Sequence, residues 1–193
     1  MDKEQFLSSR VSDPKKKEKV VLLGKSGSGK DFLMRKLVEK GLRGCLKMTS
    51  RPPRKHETQW ITYEFVTEWI FLEKIKNDEF LCYQKFEVTP EGRDPENWYY
   101  GITKQEFQDS QVFIMTPGEF NTINPELRKS CFVVYLDIDR EVREKRLYRR
   151  NDKNDSVKRR LDADEIDFKY FNDYDLRIKD PDFNADDIYD LMD

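Results

Sequence analysis

Cysteine is scarce: the chain has three, Cys45, Cys82 and Cys131, an odd number without metal-type spacing. They exclude a disulfide framework and read as buried, reduced thiols, which implies a reducing compartment. No apolar run approaches membrane-spanning length. The opening MDKEQF is charged where a secretory signal would be apolar, so a cytoplasmic protein is expected. Neither charge sign is in excess: 36 Lys and Arg against 38 Asp and Glu give a net charge of −2, which argues against a general nucleic-acid binder. Hydrophobic residues make up 37% and charged ones 38%, so the 13% aromatics must carry much of the burial. The 193 residues suffice for one ordinary domain with a real core.

Against this background one stretch stands out, KVVLLGKSGSGKDFLMRK from Lys19 to Lys36. Val20 to Leu23 show no polar alternation, as in a parallel strand covered on both faces. Gly24 ends the strand. From Gly24 through Lys25, Ser26, Gly27, Ser28 and Gly29 to Lys30 the spacing is G-x-x-x-x-G-K, in which glycines let backbone N–H groups turn inward and a helix N-terminus adds its dipole. Such a loop cradles phosphates, and Lys30 would reach the terminal ones. Asp31 follows where Ser or Thr would normally bind Mg²⁺. It is either a hard-ion ligand or a first-turn acid that stabilises its helix. Leu33, Leu37 and Val38 form the apolar face of that helix, which ends around Gly41.

The first 18 residues, with the run Lys15-Lys16-Lys17, have no period of either kind and read as a flexible lead-in to a domain over 19–193. Cys45, Leu46 and Met48 predict a short second strand. It leads into Thr49-Ser50-Arg51-Pro52-Pro53-Arg54, where paired prolines stiffen the backbone and hold two guanidinium groups near one another, as suits a phosphate. T-S-R-P-P-R followed by Glu57, Tyr63 and Phe65 resembles the acceptor-binding segment of the guanylate kinase family. The similarity runs on through WIFLEKIKNDEFLCYQKF (Trp69 to Phe86) to Trp98-Tyr99-Tyr100-Gly101, and spans most of Val20 to Asp180.

The resemblance implies that Arg51, Arg54, Tyr63 and Tyr100 grip the phosphate of an acceptor monophosphate. It also implies differences at the base. Cys82 stands where the family has an acid and Ile102 where it has a serine, with Thr103 the nearest hydroxyl; Met115 and Pro117 replace the aspartates of a D-x-D sequence. Such losses should loosen or change the choice of base, since buried unpaired polar groups are what reject an analogue. Arg93, Asp94, Glu96 and Asn97 read as a solvated loop. His56, the single histidine, reads as an exposed loop residue, and transfer between nucleotides needs no histidine base because the acceptor oxygen is already anionic.

Cys131 to Leu136 is a second continuous apolar run and another central parallel strand, ending at Asp137, a secondary candidate for Mg²⁺. A dense basic cluster covers Arg140 to Arg160, with Arg143, Arg146, Arg149 and Arg150 on one helix and Lys158, Arg159 and Arg160 on the next; 151–155 joins them. Charge alone reads as a solvated helix pair. By resemblance the pair is a lid over about 140–160, and Arg146, Arg150 and Arg160 would stabilise the transferring phosphoryl group, beside Lys30. A helix through Tyr170, a strand at Leu176 to Ile178 and a last helix from Asn184 complete the chain, with Ile188, Leu191 and Met192 apolar. Lys179-Asp180 replaces an Asn-Asp that often meets adenine in the family.

The expected fold is α/β, a three-layer P-loop architecture with a five-stranded parallel sheet, an acceptor-binding excursion over about 50–100 and the helical lid. The expected function is an ATP- and Mg²⁺-dependent nucleoside monophosphate kinase for a GMP-like or deoxynucleoside acceptor, a monomer or weak dimer with nucleotide partners, no nucleic acid and no membrane. Two alternatives are a P-loop kinase of another small phosphorylated acceptor and a non-catalytic module that holds phosphopeptides.

Overall fold

The computed structural model describes residues 17–53, 57–59, 63–88, 94–150 and 156–191, Arg150 by its backbone alone. Of the features singled out above, the lead-in as far as Lys16, Arg54, His56, Arg93, the Arg150 side chain, the 151–155 connection and Met192 lie outside the described residues. In chain order the elements are β1 (Lys19–Gly24), α1 (Lys30–Glu39), β2 (Met48–Thr49), β3 (Glu64–Phe65), α2 (Glu68–Lys76), β4 (Phe80–Val88), β5 (Glu96–Thr103), α3 (Lys104–Asp109), β6 (Val112–Ile114), α4 (Pro117–Phe120), α5 (Pro125–Lys129), β7 (Cys131–Leu136), α6 (Arg140–Arg150), α7 (Val157–Asp167), β8 (Leu176–Ile178) and α8 (Ala185–Tyr189). They form two compact units, one of 17–44, 111–118 and 124–191, the other of 45–110 and 119–123.

The first unit is built on a parallel sheet of order β6-β1-β7-β8. The two continuous apolar runs are its central strands, in register from Lys19 opposite Cys131 to Gly24 opposite Leu136. Val20 to Leu23 and Cys131 to Leu136 are buried throughout, which is why they lack polar alternation. Leu33 and Leu37 of α1, Ile188 of α8 and the strand residues Val20, Leu22, Val134 and Leu136 share one core. Among the described residues the sheet has four strands and not the expected five. Beyond β6 the edge carries a single bridge, Gly44 to Val112, and the strand expected after Cys45 is instead paired in the other sheet. A short apolar segment satisfies either edge equally, so its sequence does not choose between them. Lys17, within the expected lead-in, is tied by an ion pair of 2.6 Å to Asp175.

The second unit holds a mixed sheet of order β3-β2-β5-β4. β2 lies parallel to β3 and antiparallel to β5, and β4 and β5 are antiparallel with Cys82 opposite Ile102 and Gln84 opposite Tyr100. The aromatics expected to carry burial do so here: Phe71 of α2 stacks on Phe80 at 4.3 Å and tilts against Tyr99 at 5.4 Å, with Met48 completing the cluster. Thr67 caps α2 by accepting the Ile70 N–H, and Thr103 caps α3 by accepting that of Glu106.

Candidate active site

In the first unit β1 delivers the glycine loop to the N-terminus of α1. A Cβ on Gly24 would stand 2.8 Å from the Leu136 carbonyl oxygen and 2.6 Å from Ser28 Oγ, so the loop passes β7 at a distance that admits no side chain. Gly29, at φ 108°, opens α1 in the left-handed region, with no side-chain cap on its first turn. Ser28 Oγ is fully buried and has no hydrogen-bond partner. Lys30 folds back over the loop, and its Nζ donates to the carbonyls of Gly24 at 2.5 Å and Lys25 at 3.2 Å. Asp31 is exposed on the first turn of α1.

Two acids on α7 meet the same loop. Asp164 accepts from the Ser26 amide at 2.7 Å and from Ser26 Oγ at 3.2 Å. Glu165 pairs with Lys25 and accepts from Arg143 Nη2 at 2.7 Å. Burial would raise the Glu165 carboxyl, but the bonds from Lys25 and Arg143 outweigh it and hold the pKa below its ordinary value. Of the loop residues expected to hold ATP, Lys25 and Ser26 are thus engaged by α7.

The expected lid arginines fare differently from one another. Arg146 lies against the loop, its Nη1 donating to the carbonyls of Gly27 at 3.3 Å and Ser28 at 3.2 Å and its Nη2 to that of Pro181 at 2.7 Å. Arg160 is half-buried on the first turn of α7. Arg143, in the basic cluster that reads as a solvated face on charge alone and as a lid by resemblance, is 1% exposed, with Nε bonded to the Ile138 carbonyl at 2.9 Å. Asp137 accepts from the Tyr135 hydroxyl at 3.1 Å and from Arg177 Nε at 2.9 Å, so its carboxylate is already engaged. Among the described residues no three His, Cys, Asp or Glu side chains gather as a metal cluster.

In the second unit Arg51 is 3% exposed. Its Nη1 donates to the Pro52 carbonyl and its Nη2 to Glu57 Oε1, both at 2.8 Å, while Nε is buried without a hydrogen-bond partner. The guanidinium lies over the rings of Tyr63 at 5.5 Å and Phe65 at 5.7 Å, and Tyr63 meets Tyr100 edge-on at 6.1 Å. Three of the four residues expected to hold the acceptor phosphate therefore come together; Arg54 is the one outside the described residues.

Around the expected base positions, Cys82 and Ile102 face each other across β4 and β5 and are buried, and the Thr103 hydroxyl is taken by the α3 cap. Asp94 is exposed, whereas Glu96 lies in β5 and accepts from Trp98 Nε1 at 3.0 Å. Lys47 and Glu119 form a buried ion pair in which Nζ lies 2.7 Å from each carboxylate oxygen. Sequence reasoning missed this pair, and the signal available was a lysine set inside the apolar stretch Cys45-Leu46-Lys47-Met48.

The family model described as Guanylate kinase matches residues 16–192. A guanylate kinase of Ehrlichia canis is 32% identical over 167 residues, covering 80% of this chain and 76% of that protein. One of Malacoplasma penetrans is 28% identical over 174 residues, covering 87% and 88%. Among solved structures, a guanylate kinase from Anaplasma phagocytophilum shares the fold with a TM-score of 0.64 at 19% identity, covering 92% of this chain and 85% of that one.

Proposed function

Since the chain belongs to the guanylate kinase family, we propose that it transfers the γ-phosphoryl group of ATP to the phosphate of a GMP-like nucleoside monophosphate, yielding ADP and a nucleoside diphosphate. The observation that carries this reading is Arg51, a buried guanidinium with an unpartnered Nε stacked on Tyr63, in a chain that also keeps the whole phosphate loop. An anion at that guanidinium would satisfy the Nε and offset the cost of its burial.

The first unit serves as donor site. The loop from Gly24 to Lys30 and the first-turn amides of α1 would hold the ATP phosphates, with Lys30 turning from its own loop carbonyls to the terminal oxygens. The Lys25 and Ser26 contacts with α7 keep the loop in shape. Arg146, against the loop carbonyls, and Arg150 and Arg160 would add cations as charge spreads over the transferring group. The second unit serves as acceptor site, with Arg51, Arg54, Tyr63 and Tyr100 on the acceptor phosphate. That phosphate's oxygen forms the new O–P bond as the bond to ADP breaks. No base is required because the attacking oxygen is anionic, so the protein's part is positioning and charge neutralisation.

Mg²⁺ takes hard oxygen ligands and keeps several waters, so one carboxylate beside the phosphates meets its needs. Asp31, directly after Lys30 and exposed, fits that part, and bound Mg²⁺ would neutralise charge on the ATP phosphates. Among the described residues no helix is long and apolar enough to cross a membrane. With the balanced charge and the reduced cysteines this supports a cytoplasmic monomer or weak dimer that acts on free nucleotides.

The test is ADP formation with ATP and Mg²⁺ across GMP, dGMP, AMP, CMP, UMP and dTMP. Turnover of one acceptor, lost in Lys30→Ala, is expected; silence of the folded protein with all six would overturn the proposal.

A further inference from the structure

A cavity of about 230 Å³ opens in the first unit, lined by Phe32, Lys36 and Lys40 on the side of α1 and by Phe183, Asn184 and Asp186 where the chain enters α8. It adjoins the phosphate loop. A Cβ on Gly29 would stand 3.5 Å from two carbons of the Phe183 ring. Arg146, whose Nη1 bonds the loop carbonyls of Gly27 and Ser28, holds with its Nη2 the carbonyl of Pro181, two residues before Phe183. Phe32 follows Lys30 by two residues on the first turn of α1 and is 42% exposed. A nucleotide with its phosphates in the loop thus has its nucleoside end within reach of both rings.

The rings are held in place and the polar groups around them are taken. Phe32 and Phe183 meet edge to face with centroids 6.1 Å apart, and the Arg35 guanidinium covers Phe32 at 5.8 Å, so Phe32 is fixed from two directions without being buried. Lys36 pairs with Glu39 and Lys40 with Asp186, each at 2.6 Å, on side chains 41–58% exposed. Asn184 Oδ1 accepts the Asp186 N–H at 3.1 Å as the cap of α8, and Asp180 Oδ1 accepts that of Asp182 at 2.9 Å. A site rejects a wrong base through buried groups left unpaired, and none of the polar side chains lining this cavity is buried. The Asn184 amide nitrogen is a donor, which the N7 acceptor of adenine and that of guanine satisfy equally.

We propose that Phe32 and Phe183 hold the base of the phosphoryl donor by stacking, with no hydrogen-bond readout of its identity, so that the protein accepts purine nucleoside triphosphates without choosing between ATP and GTP. The inference rests on the donor site proposed above and adds what that site does with the base. Stacking on an aromatic ring strengthens binding about tenfold or more and tolerates any base, because every base has a π-face. The loop supplies affinity for the phosphates, the rings supply affinity for the nucleoside, and neither reads the exocyclic groups that distinguish one purine from the other.

The experiment is binding of ATP, GTP and inorganic tripolyphosphate by calorimetry to the wild type, Phe32→Ala and Phe32→Trp, with kcat/KM for ATP and GTP at saturating GMP. Tripolyphosphate engages the loop and carries no base. Expected are wild-type Kd values for ATP and GTP within about fivefold of each other, and a loss of about tenfold for both in Phe32→Ala with tripolyphosphate unchanged. Alanine at an exposed helix position should leave the fold intact. Phe32→Trp should restore both affinities, and its added fluorescence should be quenched by either nucleotide and not by tripolyphosphate. A larger preference for either purine would overturn the proposal, as would nucleotide affinities that Phe32→Ala leaves unmoved. A loss for tripolyphosphate equal to that for ATP would do the same, since Phe32 would then act on the loop. If ATP and GTP bind alike through Phe32 but no acceptor is phosphorylated, the kinase reading fails while the base assignment stands. Failure of all three ligands to bind would overturn the donor site and this inference with it.

Discussion

Arg51 is the residue on which the proposed acceptor site turns. Its fork meets Pro52 and Glu57, and its plane lies on Tyr63 and Phe65, so its position depends on shape as much as on charge. Lysine keeps the charge but neither the fork nor the stacking. Arg51→Lys is therefore expected to lower kcat/KM for the acceptor by about a hundredfold, nearly as much as Arg51→Ala, while KM for ATP stays put. Steady-state kinetics with each substrate varied would check this, and a Lys variant of near wild-type activity would show that charge alone suffices. The phosphate loop was legible in the sequence because a glycine's need is local: Gly24 must clear Leu136 and Gly29 must reach a positive φ. Lys47 and Glu119 were not legible, since their partnership joins positions 72 residues apart and neither local period nor spacing refers to it.

Among the elements, α6 shows why a charged helix can be misread. Arg143, Arg146 and Arg149 look like a solvated face, but Arg143 is buried and ties the Ile138 carbonyl, just after β7, to Glu165 on α7. Arg143→Met should cost about 2–3 kcal/mol in a urea melt, the worth of charge-assisted hydrogen bonds, whereas Arg149, exposed on the same helix, should tolerate the change within about 0.5 kcal/mol. The ends of β7 and β8 make a prediction about acid. Burial would raise Asp137, but the bonds from Arg177 and Tyr135 prevail and hold its pKa below the ordinary 3.8. A depressed carboxyl adds stability that is complete above its unfolded pKa and is lost as pH falls through the folded one. Arg177→Met should thus weaken the protein near neutral pH, and the deficit against wild type should shrink as pH falls below about 4, which thermal melts from pH 7 to pH 2 would reveal. A deficit independent of pH would mean that Arg177 acts by packing.

At the scale of the whole molecule, the donor and acceptor sites proposed above, each on its own compact unit, should report binding separately. ATP at a hundred times its Kd stabilises whatever binds it by about 2.7 kcal/mol, so ATP and GMP should each raise the melting temperature, and Lys30→Ala should abolish the ATP shift while sparing that of GMP. Loss of both shifts would mean that Lys30 maintains the fold. What the sequence by itself determined here is local or periodic: two strands buried on both faces, a glycine turn for phosphates and a proline-stiffened arginine. Their physics is written within a few residues. Only the tertiary structure decided that the segment after Cys45 joins a second sheet, that Arg143 goes inside, that α7 acids hold Lys25 and Ser26, and that Lys47 finds Glu119. Each of these depends on which surface a side chain meets, and contact between distant segments is set by packing the whole chain at once.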